Sequence, residues 1–375
     1  MARPHYAAVA EDAWNRILAT RLRRRGWTPR VLAYTGYGSL SSVRIFGRVL
    51  LSRPKDVPDT ALGPEATERD AEQAQRGWRA FVTAQVPGVP ATITVGDRKV
   101  TATSDRGGYL DVMVDGHGLD PGWHQVQIST PGAVEVTGSV LIIGSAPTIG
   151  LISDIDDTVI STSLPRPLIA GWNTFVRSEA ARRPVPGMAE LYRELLAAHP
   201  QAPTIYLSTG AWNTAPALSR FLDRYGFPDG PLLLTDWGPT NTGWFRSGRE
   251  HKRDSLRRLV RELPNVRWVL IGDDGQNDPN LYGEFAQEFP DRVVVTGLRQ
   301  LTATEQVLSH GLPVSSEELT PTQRRPPEPG RVYRAPDGYG LLPLLRPAIE
   351  TGDIGGEIGG DIGGGIDGES DGPAR

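Results

Sequence analysis

Five unbroken apolar runs constrain this chain more than any other feature: IGLIS at 149–153, TIYLS at 204–208, LLLTD at 232–236, WVLIG at 268–272 and VVVTG at 293–297. A strand with one wet face alternates apolar and polar residues, so continuous runs mark strands buried on both faces. Between them lie helical patterns, MAELYRELLAAH, APALSRFLDRYG and KRDSLRRLVREL. Strands alternating with helices predict an α/β unit with a parallel sheet and helices on both faces. Ligands of such sheets bind beyond the carboxyl ends of the strands.

The polar residues of this region collect at those ends. The first run stops at Asp154, Asp156, Asp157 and Thr158, the second at Ser208 and Thr209, and the fourth at Asp273, Asp274 and, after a short loop, Asp278. Lys252 opens the helical pattern before the fourth run. Two acidic loops brought together repel unless a cation lies between them. With no cysteine in the chain, the ligands are oxygens, which suits hard Mg²⁺. An EF-hand calcium loop does not fit, because counting from Asp154 places Val159 where Gly is required and Pro165 where Glu is required. Solvated or helix-capping acids are the plain alternative. That reading accounts for one Asp more easily than for two clusters with Ser208 and Lys252 in matching places.

The first part of the chain has a different rhythm. Short β-branched runs (VRIFGRVLL, ATITVG, KVTATS, YLDVMVD, HQVQIS, VEVTGSVLII) are separated by Gly, Pro and Asp turns, which predicts an all-β, sandwich-like domain of antiparallel strands. SDRGGYLDV reads as a hairpin with glycines at positive φ. A helix is predicted from Glu65 to Val82. Residues 9–25 form a short amphipathic helix with Trp14, Ile17, Leu18 and Leu22 on one stripe and five arginines nearby. Its readings are a helix docked on the β domain and an interfacial helix touching anionic lipid. The tail repeats Ile-Gly-Gly with acids and is expected to be disordered.

Charge and hydropathy exclude several classes. The formal net charge is −4, and about six negative charges sit on the tail, leaving the rest near +2, too little for a nucleic-acid binder. No run is long enough to cross a bilayer as a helix, and the N-terminus lacks a signal-peptide core. The expected setting is cytoplasmic.

The residues also resemble a known family. DIDDT fits the D-x-D-x-T motif of the haloacid-dehalogenase-like phosphatases, with Ser208, Lys252 and GDDGQND at their second, third and fourth motifs. SDIDDTV, YLSTGAWN, HKRDSL and IGDDGQNDPNLY look like the actin-patch phosphatidate phosphatase catalytic-domain family and its bacterial members. The resemblance spans roughly 147–300, and STGAW departs from the family's SNSPW. It implies a Rossmannoid parallel sheet and a Mg²⁺-dependent phosphatase. Asp154 would be the nucleophile and Asp156 the general acid and base. Ser208 and Lys252 would hold the phosphoryl group. The ion would sit among Asp154, the Asp156 backbone carbonyl, Asp273 and Asp278. Arginines outnumber lysines 37 to three, so a lysine at 252 marks a place that needs a compact point charge. Loop aromatics at Trp212, Trp237, Trp244 and Phe245 could line a mouth for a bulky substrate or simply pack their loops.

The expected organisation is an N-terminal helix in 1–30, the β domain in 31–146, the phosphatase domain in 147–312, a docking segment in 313–349 and the tail in 350–375. The expected substrate is phosphatidate or a related lipid phosphate, reached by peripheral contact with an anionic membrane. The alternatives are a phosphoprotein or soluble phosphomonoester, or a binding or scaffold role for the β domain. The sequence leaves the oligomeric state open.

Overall fold

The computed structural model describes residues 17–52, 86–161, 183–235, 248–275, 278–303, 305–306 and 331–350. The expected helix at 65–82, Trp14, the aromatics Trp237, Trp244 and Phe245, and the Gly-rich tail beyond 350 lie outside them.

Seven strands form the first sheet: β1 (Thr28–Ser39), β2 (Ser42–Ser52), β3 (Pro90–Val95), β4 (Arg98–Thr103), β5 (Tyr109–Asp115), β6 (Gly122–Ser129) and β7 (Val136–Ile143). They hydrogen-bond in the order β4-β3-β6-β7-β1-β2-β5. All neighbours are antiparallel except β1 and β7, which run parallel from Gly36↔Val140 to Ser39↔Ile143. The expectation of a wholly antiparallel domain is corrected at that pair. The reading of SDRGGYLDV as a hairpin is corrected too, because β4 and β5 occupy opposite ends of the hydrogen-bonded order. Asp105 Oδ1 accepts the amides of Gly107 and Tyr109 at 2.8 and 2.7 Å. Gly108 then turns at φ +78°, and its carbonyl accepts the Val49 amide at 2.6 Å. The turn delivers β5 to β2, and the two end strands approach one another. Two residues of β1, Gly36 and Gly38, sit where a Cβ would lie 2.3 and 2.4 Å from the carbonyl oxygens of Arg44 and Ser42. They accompany the break in register between Tyr34 and Tyr37.

Alternation along these strands makes two apolar faces. Val43, Ile45, Val49 and Leu51 of β2 and Val140 and Ile142 of β7 enter the β domain's own core. Their neighbours Phe46, Leu141 and Ile143, with Tyr37, join the core of the second domain. The N-terminal helix continues to residue 24. It buries Ala19 and packs Leu22, with Trp27 beyond its end, on the β core, while Arg21, Arg23, Arg24 and Arg25 are exposed.

The second sheet is parallel throughout, with six strands: β8 (Thr148–Ser153), β11 (Thr204–Ala211), β12 (Leu232–Thr235), β13 (Val266–Asp273), β14 (Val293–Arg299) and β15 (Arg331–Ala335). The order is β12-β11-β8-β13-β14-β15. The chain enters at the centre, winds outward to β12, returns to β13 beside β8 and winds out the other way. The switch point of such a sheet lies between β8 and β13 and opens a crevice at their carboxyl ends. A two-stranded ribbon of β9 (Ile160–Ser161) and β10 (Arg183–Pro184) follows β8.

Among the described residues five helices accompany this sheet: α1 (Met188–Leu196), α2 (Ala215–Arg224), α3 (Gly248–Glu262), α4 (Asp278–Glu288) and α5 (Gly338–Glu350). Helix α1 packs with α5, and α3 with α4, the pairs that right-handed crossovers place on opposite faces. Within the expected docking segment of 313–349, residues 331–335 supply the sixth strand and residues from 338 on supply α5, which runs one residue into the expected tail, to Glu350. That helix fully buries Leu341 and Leu345, each worth about 1.5–3 kcal/mol of apolar burial.

Candidate active site

Strand β8 delivers Asp154 to the crevice. Its amide donates to the Ile271 carbonyl on β13 at 2.9 Å, which fixes the first residue of the acidic loop against the neighbouring strand. The chain then bends sharply: the amides of Val159 and Ile160 both reach the Ile155 carbonyl, at 2.9 and 3.0 Å. Asp154, Asp156, Asp157 and Thr158 are all buried, so this loop folds inward.

Four of the sequence-predicted residues come together around one ammonium. Lys252 Nζ, in the first turns of α3, donates to Asp154 Oδ1 at 2.6 Å and to Asp278 Oδ1 at 2.7 Å. Asp273 ends β13, and its Oδ1 is fixed by the Gly275 amide at 2.8 Å. Oxygens of Asp154, Asp273 and Asp278 lie within 4.8 Å of one another. Asp156 turns the other way, and its Oδ2 accepts Ser208 Oγ at 3.0 Å. Ser208 Oγ in turn accepts the Gly210 amide at 2.9 Å. The Asp156 carboxylate is thus not a member of the acidic trio of Asp154, Asp273 and Asp278.

Burial dominates the electrostatics. It raises the Asp154 carboxyl well above the usual carboxylate range, with Asp278, Asp273 and Asp156 adding to the rise and Lys252 opposing it. Asp273 is pushed up to about 7, first by burial and then by Asp278. Burial works to lower Lys252, but Asp154 and Asp278 outweigh it and hold the ammonium protonated. Three carboxylates against one ammonium leave an excess of two negative charges when all are ionised, and one divalent cation neutralises that excess. Asp278 Oδ2 and Asp156 Oδ1 are buried and make no hydrogen bond among the described residues. Such atoms are costly in a dry site without a partner. An all-oxygen set of this kind fits a hard divalent ion.

Supporting residues escaped the sequence reading. Arg299, at the end of β14, donates Nη1 to the Asp157 carbonyl at 2.8 Å. Tyr192 of α1 shares a 2.5 Å hydrogen bond with Ser153 Oγ, just before Asp154. A basic residue closing the run VVVTGLR on the same sheet edge was the available signal for Arg299. Trp212 is placed differently from a substrate mouth. It is 8% exposed, with its ring 4.7, 5.5 and 6.5 Å from Tyr34, Phe46 and Tyr109 of the β domain. Thr235 Oγ1 ties the end of β11 to β12 through the carbonyls of Thr209 and Gly210, at 2.8 and 3.2 Å.

Lys252 and the carboxylates of Asp154, Asp273 and Asp278 thus lie buried together at the switch point of a parallel sheet, the arrangement expected from the haloacid-dehalogenase-like resemblance. Residues 149–300 match the family described as phosphatidate phosphatase APP1, catalytic domain. Among relatives, phosphatidate phosphatase APP1 of Saccharomyces cerevisiae is 26% identical over 184 residues, covering 48% of this chain and 31% of that protein. An uncharacterized protein of Schizosaccharomyces pombe is 28% identical over 155 residues, covering 41% of this chain and 25% of that protein. The matches thus take in a quarter to a third of the length of these relatives. The HAD domain of effector protein Lem4 from Legionella pneumophila is 14% identical, with 41% of this chain and 86% of that one covered and a TM-score of 0.28.

Proposed function

We propose that the chain is a Mg²⁺-dependent phosphatase that hydrolyses a phosphomonoester through an aspartyl-phosphate on Asp154. The reading rests chiefly on the Lys252 ammonium bridging Asp154 and Asp278 one residue pair away from an Asp156 carboxylate bound to Ser208. In the first step an Asp154 oxygen forms a bond to phosphorus as the bond to the ester oxygen breaks. Asp156 gives its proton to the departing alkoxide. In the second step the Asp156 carboxylate takes a proton from water as the water oxygen attacks phosphorus, releasing phosphate and restoring Asp154. Lys252 holds the nucleophile and offers positive charge to the transferring group, and Ser208 donates to one of its oxygens. Asp154, Asp273, Asp278 and the Asp156 backbone carbonyl would hold the ion. When bound, it supplies charge neutralisation between nucleophile and phosphate.

The substrate proposed is phosphatidate or a related lipid phosphate, as the name of the budding-yeast relative suggests. Among the described residues no helix is long and apolar enough to cross a membrane. We place the protein in the cytoplasm, with peripheral contact through the exposed arginines at 21 and 23–25. The test is phosphate release from phosphatidate in mixed micelles and from a soluble phosphomonoester, each with and without EDTA. Lipid release that EDTA abolishes and Mg²⁺ restores is expected. Undiminished release after exhaustive chelation would overturn the metal role, and release from the soluble ester alone would overturn the lipid assignment.

A further inference from the structure

We propose that Arg299 is a positioning residue for the reaction assigned above, acting on the nucleophile loop through the backbone of Asp157; the proposal rests on that reading. Among the described residues Asp157 is the non-glycine residue with positive φ, at +58°. An L-residue reaches this left-handed region only with its Cβ crowding the backbone, and something must hold it there. Inside the loop, the Asp157 amide is held by the Ile160 carbonyl at 2.9 Å. Its carbonyl is held from outside, by Arg299 Nη1.

The guanidinium has little freedom of its own. Its Nε donates to the Pro336 carbonyl at 3.2 Å and its Nη2 to Glu305 Oε1 at 2.7 Å. The Thr302 amide fixes the other oxygen of Glu305 at 2.9 Å. Arg299 is 6% exposed, so water competes weakly for these donors. A planar fork with three acceptors on three segments sets the position of the Asp157 carbonyl, a task a single ammonium cannot reproduce. Two of those acceptors, on Glu305 and Pro336, lie beyond residue 300, where the family match ends. The C-terminal segment therefore braces the loop from outside the matched domain. Asp156 directly precedes the turn, and if the turn relaxes, its carboxylate leaves the line between Ser208 and the departing oxygen.

The test uses Arg299→Gln and Arg299→Lys in the full chain, with two readouts. One is steady-state hydrolysis of p-nitrophenyl phosphate with Mg²⁺. The other is amide hydrogen exchange across residues 157–160 and across β13. A misplacement near 1 Å can cost about 100-fold, so kcat should fall about 10- to 100-fold in Arg299→Gln, and less in Arg299→Lys, with KM little changed. Exchange at 157–160 should quicken while β13 keeps its protection. Wild-type kcat or unchanged loop exchange overturns the proposal. If Arg299→Gln does not fold, Arg299→Lys decides on the same two readouts, since it keeps the charge beside Glu305 and loses the fork. A wild-type protein inert toward every phosphomonoester would defeat the assigned reaction, and faster loop exchange in the variants would still support the anchoring.

Discussion

The two sheets of this molecule differ in how their strands run, and among the described residues the cluster of Asp154, Lys252, Asp273 and Asp278 gathers on the parallel one. In the parallel sheet every strand points the same way, so the residues after β8, β11, β13 and β14 reach a common edge. That is how Asp154, Ser208, Asp273 and Arg299, spread over 146 positions of sequence, come to surround one crevice. In the seven-stranded sheet most neighbours are antiparallel, so successive turns fall at opposite ends and cannot converge. Its contribution is a face. Tyr37 donates to Glu262 at 2.6 Å and Arg44 pairs with Glu262 and Asp111, while Tyr34, Phe46 and Tyr109 enclose Trp212. The contacts to Glu262 fall on α3, which carries Lys252, and those to Trp212 on the segment after Ser208.

The largest effect expected is at the convergent edge. Asp154→Asn should reduce phosphate release to background while the fold persists, and a near-normal rate would end the covalent route. Asp156→Asn should lower kcat by about 10²- to 10⁴-fold, the range of a general acid–base group. A quench experiment would then find phosphoprotein with Asp154 intact.

The docked face gives the next effect. Trp212→Ala should destabilise the protein by about 3–5 kcal/mol, the usual cost of truncating a buried Trp, measured by denaturant unfolding. The shared apolar core predicts one shifted transition. Two separate transitions would show that the sheets are less joined than their packing implies.

The smallest effect is in the pH dependence of the metal-free protein. The Asp273 carboxyl stands near 7 when folded and near 4 when unfolded. Between those values the native state holds more protons, so stability falls as pH rises through that window. Chelated protein should melt at lower temperature at pH 8 than at pH 5, and Mg²⁺ should narrow the gap by binding the ionised native form. Equal melting temperatures would mean the acids are not forced together as described.

The sequence shows the parallel sheet because burial on both faces leaves unbroken runs, and it shows Asp154, Ser208 and Asp273 because each stands where such a run stops; Lys252 shows because it is one of three lysines and opens the helical pattern before the fourth run. It hides β1, where Gly36 and Gly38 interrupt the pattern for reasons that lie in a neighbouring strand. It also hides the partner of β5, about 60 residues upstream, because local turn chemistry suggests the adjacent strand instead. The burial of Trp212 depends on rings more than 100 residues away, and no periodicity joins such distant positions. Arg299 gives only the signal of a basic residue closing a run, and its contact becomes legible once the Asp157 carbonyl is known to need a donor.

The shared core also sets an order of events during synthesis. Tyr37, Phe46, Leu141 and Ile143 leave the ribosome well before Trp212 and Glu262, the groups that cover their side of the β sheet. At a translation rate of about 5–20 residues per second, that face waits on the order of ten seconds for its cover. Throughout that interval the nascent chain presents an uncovered aromatic surface, the kind of exposure that chaperones exist to shield.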